Sequence, residues 1–166
     1  MSLFTESSLE ELYASAVAAF PKTRMRQHAI QPIVVESISW TPYLGLGTLF
    51  IKGEVRNETR HYSPLVLFKG VNYGLKEVKI TASNGKEYEF GKLSEEQTDC
   101  TVRCDCPDFR WRFAWYNKLD RSLFGRAPTK YESNGGPPAN PKQLPGMCKH
   151  LIQLATALQH AGIFQD

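Results

Sequence analysis

The spacing of apolar residues along the chain changes twice, and each spacing predicts a different kind of secondary structure. Near the N-terminus apolar residues recur every three or four positions, which predicts an amphipathic helix over residues 8–20. Ser8 and Glu11 match a capping box at the start of this helix, and Pro21 ends it. We expect the helix to cover the protein core rather than to serve as a partner-binding arm.

Between residues 33 and 103 the apolar residues are mainly β-branched or aromatic, and they stand in short runs separated by turn residues. These runs predict an antiparallel sheet or a small sandwich. Asn84 and Gly85 lie between two of the runs and predict a hairpin there, because both residues tolerate the positive φ of a tight turn.

Helical spacing returns after residue 106. The segment PDFRWRFAWYNKL predicts one helix, and residues 148–161 predict another, which Gly162 ends. Between them five prolines exclude regular structure from a Gly/Pro-rich insert, which we expect to lie on the surface and contact a partner. The chain is therefore predicted to be α+β, with an N-terminal helix and β-rich domain at residues 1–97 and a C-terminal lobe at residues 98–166.

Length and charge narrow the possible functions. Of the 166 residues 42% are hydrophobic, enough to bury a core, and the net charge of +3 is too small to mark the whole protein as a nucleic-acid binder. The charge is uneven, because residues 100–150 contain nine basic and four acidic residues, a local charge of +5. Neither a run of about 18 apolar residues nor a signal-peptide pattern is present, so we expect no membrane span and no secretion by that route.

The cysteines carry the clearest chemical signal. Cys104 and Cys106 form a C-x-C pair, and after a spacer of 41 residues Cys148 and His150 form a C-x-H pair. Three thiolates and one imidazole complete a tetrahedral zinc shell. We therefore predict one structural Zn²⁺ ion bound by these four residues, which would also hold together the two ends of the irregular insert.

Cys100 is a fifth candidate ligand. In a strand over residues 98–104, Cys100 and Cys104 would lie about 13 Å apart, too far to share one ion at a Zn–S distance near 2.3 Å. Cys100 is therefore left out of the predicted ligand set. His28, His61 and His160 have no closely spaced partner, so we expect ordinary surface or core roles for them.

The C-x-C and C-x-H pairs, with the local sequences CDCPDFRWRF and PGMCKHL, resemble the SWIM zinc finger. The resemblance covers about residues 98–161. It implies a β-hairpin carrying Cys104 and Cys106, a helix that starts at Cys148 and His150, and a structural zinc ion. The predicted C-terminal lobe is therefore SWIM-like.

A broader resemblance adds the PPANP stretch and the upstream β-rich half that contains SPLVLFKGVNY. Together these segments look like small SWIM-type proteins of tailed bacteriophages, found among virion and assembly proteins. This resemblance implies a structural role in a phage particle, and hence a location in the virion. Without it, the expected location is the cytoplasm.

Catalysis is the least favoured function. Four protein ligands close the zinc shell, and Asp105 and Asp108 have sufficient roles in a turn and in the first turn of a helix. Two hypotheses remain: a zinc-stabilised structural protein that assembles with other proteins, and a nucleic-acid-binding zinc finger. The first rests on the resemblance and the second on the local charge of +5.

The interleaved arginines and aromatic rings of PDFRWRFAWYNK bear on that choice, because they could form a stacking surface for nucleic acid. A helical wheel places Arg110 and Asn117 on the outside of this helix. The wheel groups the other large residues together or beside that group: Phe109, Phe113, Tyr116, Leu119, Trp111 and Trp115. Packing in the core is therefore the favoured role for most of the rings.

Overall fold

The computed structural model of the chain describes residues 7–19, 33–126, 128 and 140–165. These residues form an α+β fold, which confirms the predicted fold class. The helices are α1 (Leu9–Ala19), α2 (Ala114–Asp120) and α3 (Lys149–His160). The strands are β1 (Ser7–Ser8), β2 (Ile33–Tyr43), β3 (Thr48–Asn57), β4 (Arg60–Tyr62), β5 (Leu65–Phe68), β6 (Val78–Thr81), β7 (Glu87–Phe90) and β8 (Asp99–Arg103).

Helix α1 begins with the predicted cap. The backbone N–H of Glu11 donates to Ser8 Oγ at 3.3 Å, and the Ser8 hydroxyl donates to Glu11 Oε1 at 3.2 Å. One face of the helix is buried in the core, through the side chains of Leu9, Leu12, Ala16 and Ala19. The helix therefore covers the core, as its spacing predicts, while Phe20 and Pro21 lie outside the described residues.

The main sheet has the strand order β1-β8-β5-β3-β2, with β4 paired to β3 beyond the end of β5. All of these strands pair antiparallel. Burial alternates along β3, where Leu49, Ile51 and Val55 are fully buried and the intervening residues are more exposed. This period of two places one face of the sheet against the helices.

Strands β6 and β7 form a separate hairpin at the predicted position. Gly85 has a positive φ of 83°, but Asn84 does not belong to the residues with positive φ. The Gly85 N–H donates to the carbonyl of Ala82 at 2.9 Å, and Asn84 Oδ1 accepts from the Lys86 N–H at 2.9 Å. The turn thus needs only one left-handed residue, and the Asn84 side chain closes it instead of the Asn84 backbone.

One cluster of buried side chains runs through both predicted parts of the chain. Strand β8, which follows the predicted boundary at residues 97 and 98, pairs with β5 of the first part. Helix α3 packs against β2 and β3, and after it the backbone of Gln165 donates to the carbonyl of Leu93 at 2.8 Å. The two predicted parts therefore share apolar contacts and backbone hydrogen bonds.

The predicted insert and the expected absence of a membrane span remain to be compared with the structure. Residues 127 and 129–139 of the predicted insert, together with His28, lie outside the described residues. Within the described part of the chain, none of the helices has the length and apolar character needed to cross a membrane.

Candidate metal centre

Cys104 and Cys106 lie where strand β8 passes into a helical segment. Strand β8 pairs with β1 on one side and β5 on the other, which fixes the direction in which the chain leaves the sheet at Cys104. The carbonyl of Cys106 accepts the Arg110 N–H at 3.1 Å, and its Sγ accepts the Phe109 N–H at 3.3 Å. The start of the helical segment therefore stabilises negative charge on the Cys106 sulfur.

Cys148 and His150 lie at the start of helix α3. Cys148 is the N-cap residue, with an extended backbone (φ −75°, ψ 169°), and its carbonyl accepts the Ile152 N–H at 3.0 Å. His150 follows in the first turn, where its ring packs on Tyr62 of β4 with centroids 4.5 Å apart. This start of α3, held against the sheet, brings both donor side chains to the end of β8.

The four side chains predicted to bind zinc form one buried cluster. One potential ligand atom from each of Cys104, Cys106, Cys148 and His150 lies within 4.8 Å of all the others. Cys104 Sγ is 4.0 Å from His150 Nδ1, and all four residues are at most 3% exposed. Tetrahedral donors around zinc are separated by about 3.5–3.8 Å, given bond lengths of about 2.0–2.3 Å. A small contraction would therefore bring the four atoms onto one ion.

The imidazole of His150 also fits a metal ligand. Its Nε2 atom is buried and has no hydrogen-bond partner among the described residues. A buried polar atom without a partner costs about 1–3 kcal/mol, so such atoms are uncommon in folded proteins. Coordination through Nε2 would give this atom a partner, whereas coordination through Nδ1, which lies 4.0 Å from Cys104 Sγ, would leave it without one.

The pKa values of the three clustered thiols shift in opposite directions. Hydrogen bonds from the Cys104 and Cys148 thiols lower the pKa of Cys106, and the hydrogen bond to Cys106 raises the pKa of Cys104. Burial raises the pKa of the Cys148 thiol. These opposite directions favour ionisation of Cys106 over ionisation of Cys104 and Cys148. A divalent ion would supply the charge that lets all three ionise.

The remaining candidate residues lie elsewhere. Cys100 is in β8, fully buried, and its thiol donates to the carbonyl of Ser7 at 3.5 Å, so it stands outside the cluster. His61 Nδ1 is 3.2 Å from Glu36 on the exposed side of the sheet. His160 lies at the end of α3, ten residues beyond His150.

The helical wheel misplaced Asn117, Leu119 and Trp111 in the segment after Cys106, and Trp111 is 42% exposed. Residues Phe109–Phe113 form a π-helical turn before α2 begins. A π-turn adds one residue to the turn and rotates the following side chains relative to an ideal α-helix. Asn117, expected outside, is fully buried and lies four residues after the buried Phe113, whereas Leu119, expected inside, is 62% exposed. Phe109 and Phe113 are buried as predicted.

The side chain of Asn117 holds the chain just before Cys148. Its Nδ2 donates to the carbonyl of Gly146 at 3.0 Å, and its Oδ1 accepts the Gly146 N–H at 2.8 Å. A Cβ at Gly146 would lie 2.7 Å from Phe113 Cε1 and 3.0 Å from the Cβ of Ala16, so the backbone fits there only as glycine. Sequence reasoning missed this clamp, because the predicted wheel placed Asn117 on the outside although it lies four residues after Phe113.

A second buried asparagine fixes the end of the insert. Asn140 is 2% exposed, and its Nδ2 donates to the carbonyls of Arg112 at 2.9 Å and Leu144 at 2.7 Å. The described residues 140–146 are therefore attached to the segment that follows Cys106. This connection joins the segment before Cys148 to the segment after Cys106.

No protein-family model matches the chain, and searches of curated proteins and of solved structures likewise returned no match. The chemistry of the site therefore rests on the residues of this chain. A buried set of three cysteines and one histidine that could hold one metal ion is consistent with a zinc finger.

Two carboxylates flank the cluster, and both are engaged by the protein. Asp105 Oδ1 accepts the Ser63 N–H at 2.8 Å, which ties the loop between the two cysteines to the start of β5. Asp108 Oδ1 is 2.9 Å from Arg112 Nε, one helical turn later. Each carboxylate thus has a structural contact of the kind that positions the loop and the helix start.

Proposed function

We propose that the chain is a non-catalytic structural protein stabilised by one zinc ion. The observation that carries the proposal is the cluster itself, in which Cys104, Cys106, Cys148 and His150 converge with almost no exposure to solvent. Thiolates with an imidazole favour zinc over the harder divalent ions that prefer oxygen ligands.

The non-catalytic part of the proposal rests on the closed shell. A catalytic zinc keeps one coordination position for water or substrate, whereas this cluster supplies four protein ligands. The neighbouring Asp105 and Asp108 each make a contact within the protein, so neither is held ready as a general base. We therefore infer that the ion stabilises the fold.

The proposed role is assembly with other proteins. The SWIM-like spacing and the broader resemblance to small proteins of tailed phages support a component of a phage particle, located in the virion. Several large apolar side chains are exposed on the described surface and offer contact area, among them Leu46 at 77% and Leu44 at 55%. These two residues lie in the turn between β2 and β3, at one end of the sheet.

Cobalt substitution tests the closed shell. We expect the purified chain to bind one zinc ion, and its Co²⁺ form to have the visible absorption of a tetrahedral site with thiolate ligands. Added azide or cyanide should leave that spectrum unchanged, because no coordination position is open. A spectrum that shifts on addition of either anion would contradict a closed structural site and favour a catalytic one.

A nucleic-acid-binding zinc finger is the second candidate function, and one surface favours it. Trp111 is 42% exposed with the Arg110 guanidinium 4.7 Å from its ring centroid, and Lys118 Nζ is 4.2 Å from the ring centroid of Trp115. Rings paired with cations can stack on bases and contact phosphates.

The salt dependence of DNA binding separates the two candidates. If the second is correct, single-stranded DNA should quench the tryptophan fluorescence at low salt, and log Kobs should fall with log salt by about 0.7 per phosphate contact. The proposed structural role instead predicts no quenching at low salt. Unchanged affinity across salt concentrations would count against a phosphate-binding surface.

A further inference from the structure

A cavity of about 420 Å³ opens beside the metal centre, on the side of Cys104. Three arginines line it: Arg103 from the end of β8, Arg110 from the π-helical turn, and Arg126 from the loop after α2. One carboxylate, that of Asp105, also lines the cavity. Among the described lining residues three are arginines and one is an aspartate, so basic residues outnumber acidic ones there.

The side chain of Arg103 is hydrogen bonded to the loop after α2. Its Nη1 donates to the carbonyl of Phe124 at 3.0 Å and to that of Arg126 at 2.6 Å. The same loop is hydrogen bonded along β8, through the Phe124 N–H to the Val102 carbonyl at 3.0 Å and the Val102 N–H to the Ser122 carbonyl at 2.8 Å. A guanidinium carries five N–H donors, so these bonds leave donors for a ligand.

The described residues offer little negative charge to balance these arginines. Among the described residues no carboxylate lies within salt-bridge distance of Arg103, Arg110 or Arg126. Asp105 already accepts the Ser63 N–H. A zinc ion with three thiolates has a net charge of −1, which a single cation would offset, so three arginines exceed what the metal centre needs.

We infer that this cavity binds a phosphate group. Guanidinium groups pair with phosphate oxygens through two parallel hydrogen bonds, and an Arg fixed by the backbone loses little side-chain entropy when it does so. The volume is within the roughly 300–1,000 Å³ typical of small-ligand sites, so the phosphate can carry a further group. The source is either a free phosphate or the phosphodiester of a nucleic acid, and both present the same oxygens.

The proposal goes beyond the structural role of the zinc ion, and its test uses the zinc-loaded full chain. Binding of inorganic phosphate is followed by ³¹P line broadening, and binding of a short oligothymidylate by fluorescence anisotropy, both at low salt. The test variant is Arg110→Gln with Arg126→Gln, because both side chains are exposed and the support of Arg103 is retained. Lys86→Gln, in the β6–β7 turn, is the charge control, and zinc content confirms that each variant is folded.

The double variant is expected to lose at least about tenfold in affinity for inorganic phosphate, and Lys86→Gln less than about twofold. An oligothymidylate that binds more tightly than phosphate and responds to the same variant identifies a phosphodiester as the source. Equal affinity per phosphate identifies a free phosphate. Absence of phosphate binding, retention of binding in the double variant, or equal weakening by Lys86→Gln each overturns the proposal.

Discussion

Cys148→Ser is expected to release the metal and to lower the free energy of unfolding by several kcal/mol, whereas Cys100→Ser should keep one zinc ion per chain. Cys148 is both the N-cap residue of α3 and one of the four clustered donors. Its loss removes one ligand and leaves two thiols close together with no ion between them. Binding of structural zinc contributes on the order of 10 kcal/mol to the folding free energy of small zinc-binding domains. Loss of even part of this contribution is large compared with the free energy of unfolding of a typical domain, about 5–15 kcal/mol.

The effect should also be uneven along the chain. Hydrogen exchange is measured with and without a strong chelator. When the chelator removes the metal, the backbone amides of residues 109–120 and of helix α3 are expected to lose the most protection, because these segments meet at the cluster. The β6–β7 hairpin has its own backbone ladder and lies in a separate sheet, so it should change least. The loss of protection in strand β3 is expected to be intermediate, because α3 packs against this strand.

Cys100→Ser is the matched control for this result. Cys100 is as buried as the cluster, but its thiol donates to the Ser7 carbonyl, a bond that a serine hydroxyl can also make. Release of zinc from Cys100→Ser, together with retention by His150→Ala, would show that the ligand set is wrong. Equal loss of protection in all strands of Cys148→Ser would contradict the unequal dependence on the metal.

The convergence of Cys104, Cys106, Cys148 and His150 could be predicted from sequence because metal ligation imposes a local signature. The two residues of each pair are close together along the chain, and thiolate and imidazole donors are typical ligands of zinc. The β-hairpin at Gly85 was predictable for a similar reason, since a left-handed residue narrows the choice of amino acid. The signal is two closely spaced pairs for the metal centre and one dipeptide for the hairpin.

The clamp at Asn117 could not be predicted in that way. Asn117 lies four residues after the buried Phe113 and shares its face of the helix, but the predicted wheel placed it on the outside. Its partner, Gly146, is 29 residues away in sequence, so no local pattern joins them. The positive cavity has the same character, because Arg103, Arg110 and Arg126 meet only once the loop after α2 lies along β8.

That clamp gives the second large prediction. Asn117→Ala is expected to lower the free energy of unfolding by about 2–4 kcal/mol, because it removes two hydrogen bonds and leaves a buried N–H and C=O of Gly146 without partners. Zinc affinity should fall about 10–100-fold as well, the usual effect of losing a residue that positions a metal ligand. Gly146 is only two residues before Cys148, so its backbone sets where that sulfur lies.

Asn117→Asp separates the hydrogen bonds from the volume of the side chain. An aspartate has nearly the same shape and can still accept the Gly146 N–H, but it places an oxygen opposite the Gly146 carbonyl where Asn117 has a donor. It would also bury a charge at a site with no exposure. The loss of stability should therefore equal or exceed that of Asn117→Ala, although no cavity is created.

Asn72→Ala provides the control for both variants, since Asn72 Oδ1 also accepts a backbone N–H, that of Gly74 at 2.9 Å, but in an exposed loop. Its effect on stability is expected to stay below about 1 kcal/mol, and its zinc affinity should match that of the unmodified chain. Chelator competition gives the affinities and denaturant unfolding the stabilities. If Asn117→Ala kept its zinc affinity while losing stability, the clamp would support the core alone. If Asn117→Asp were as stable as the unmodified chain, the paired hydrogen bonds to Gly146 would not be what holds Cys148 beside Cys104 and Cys106.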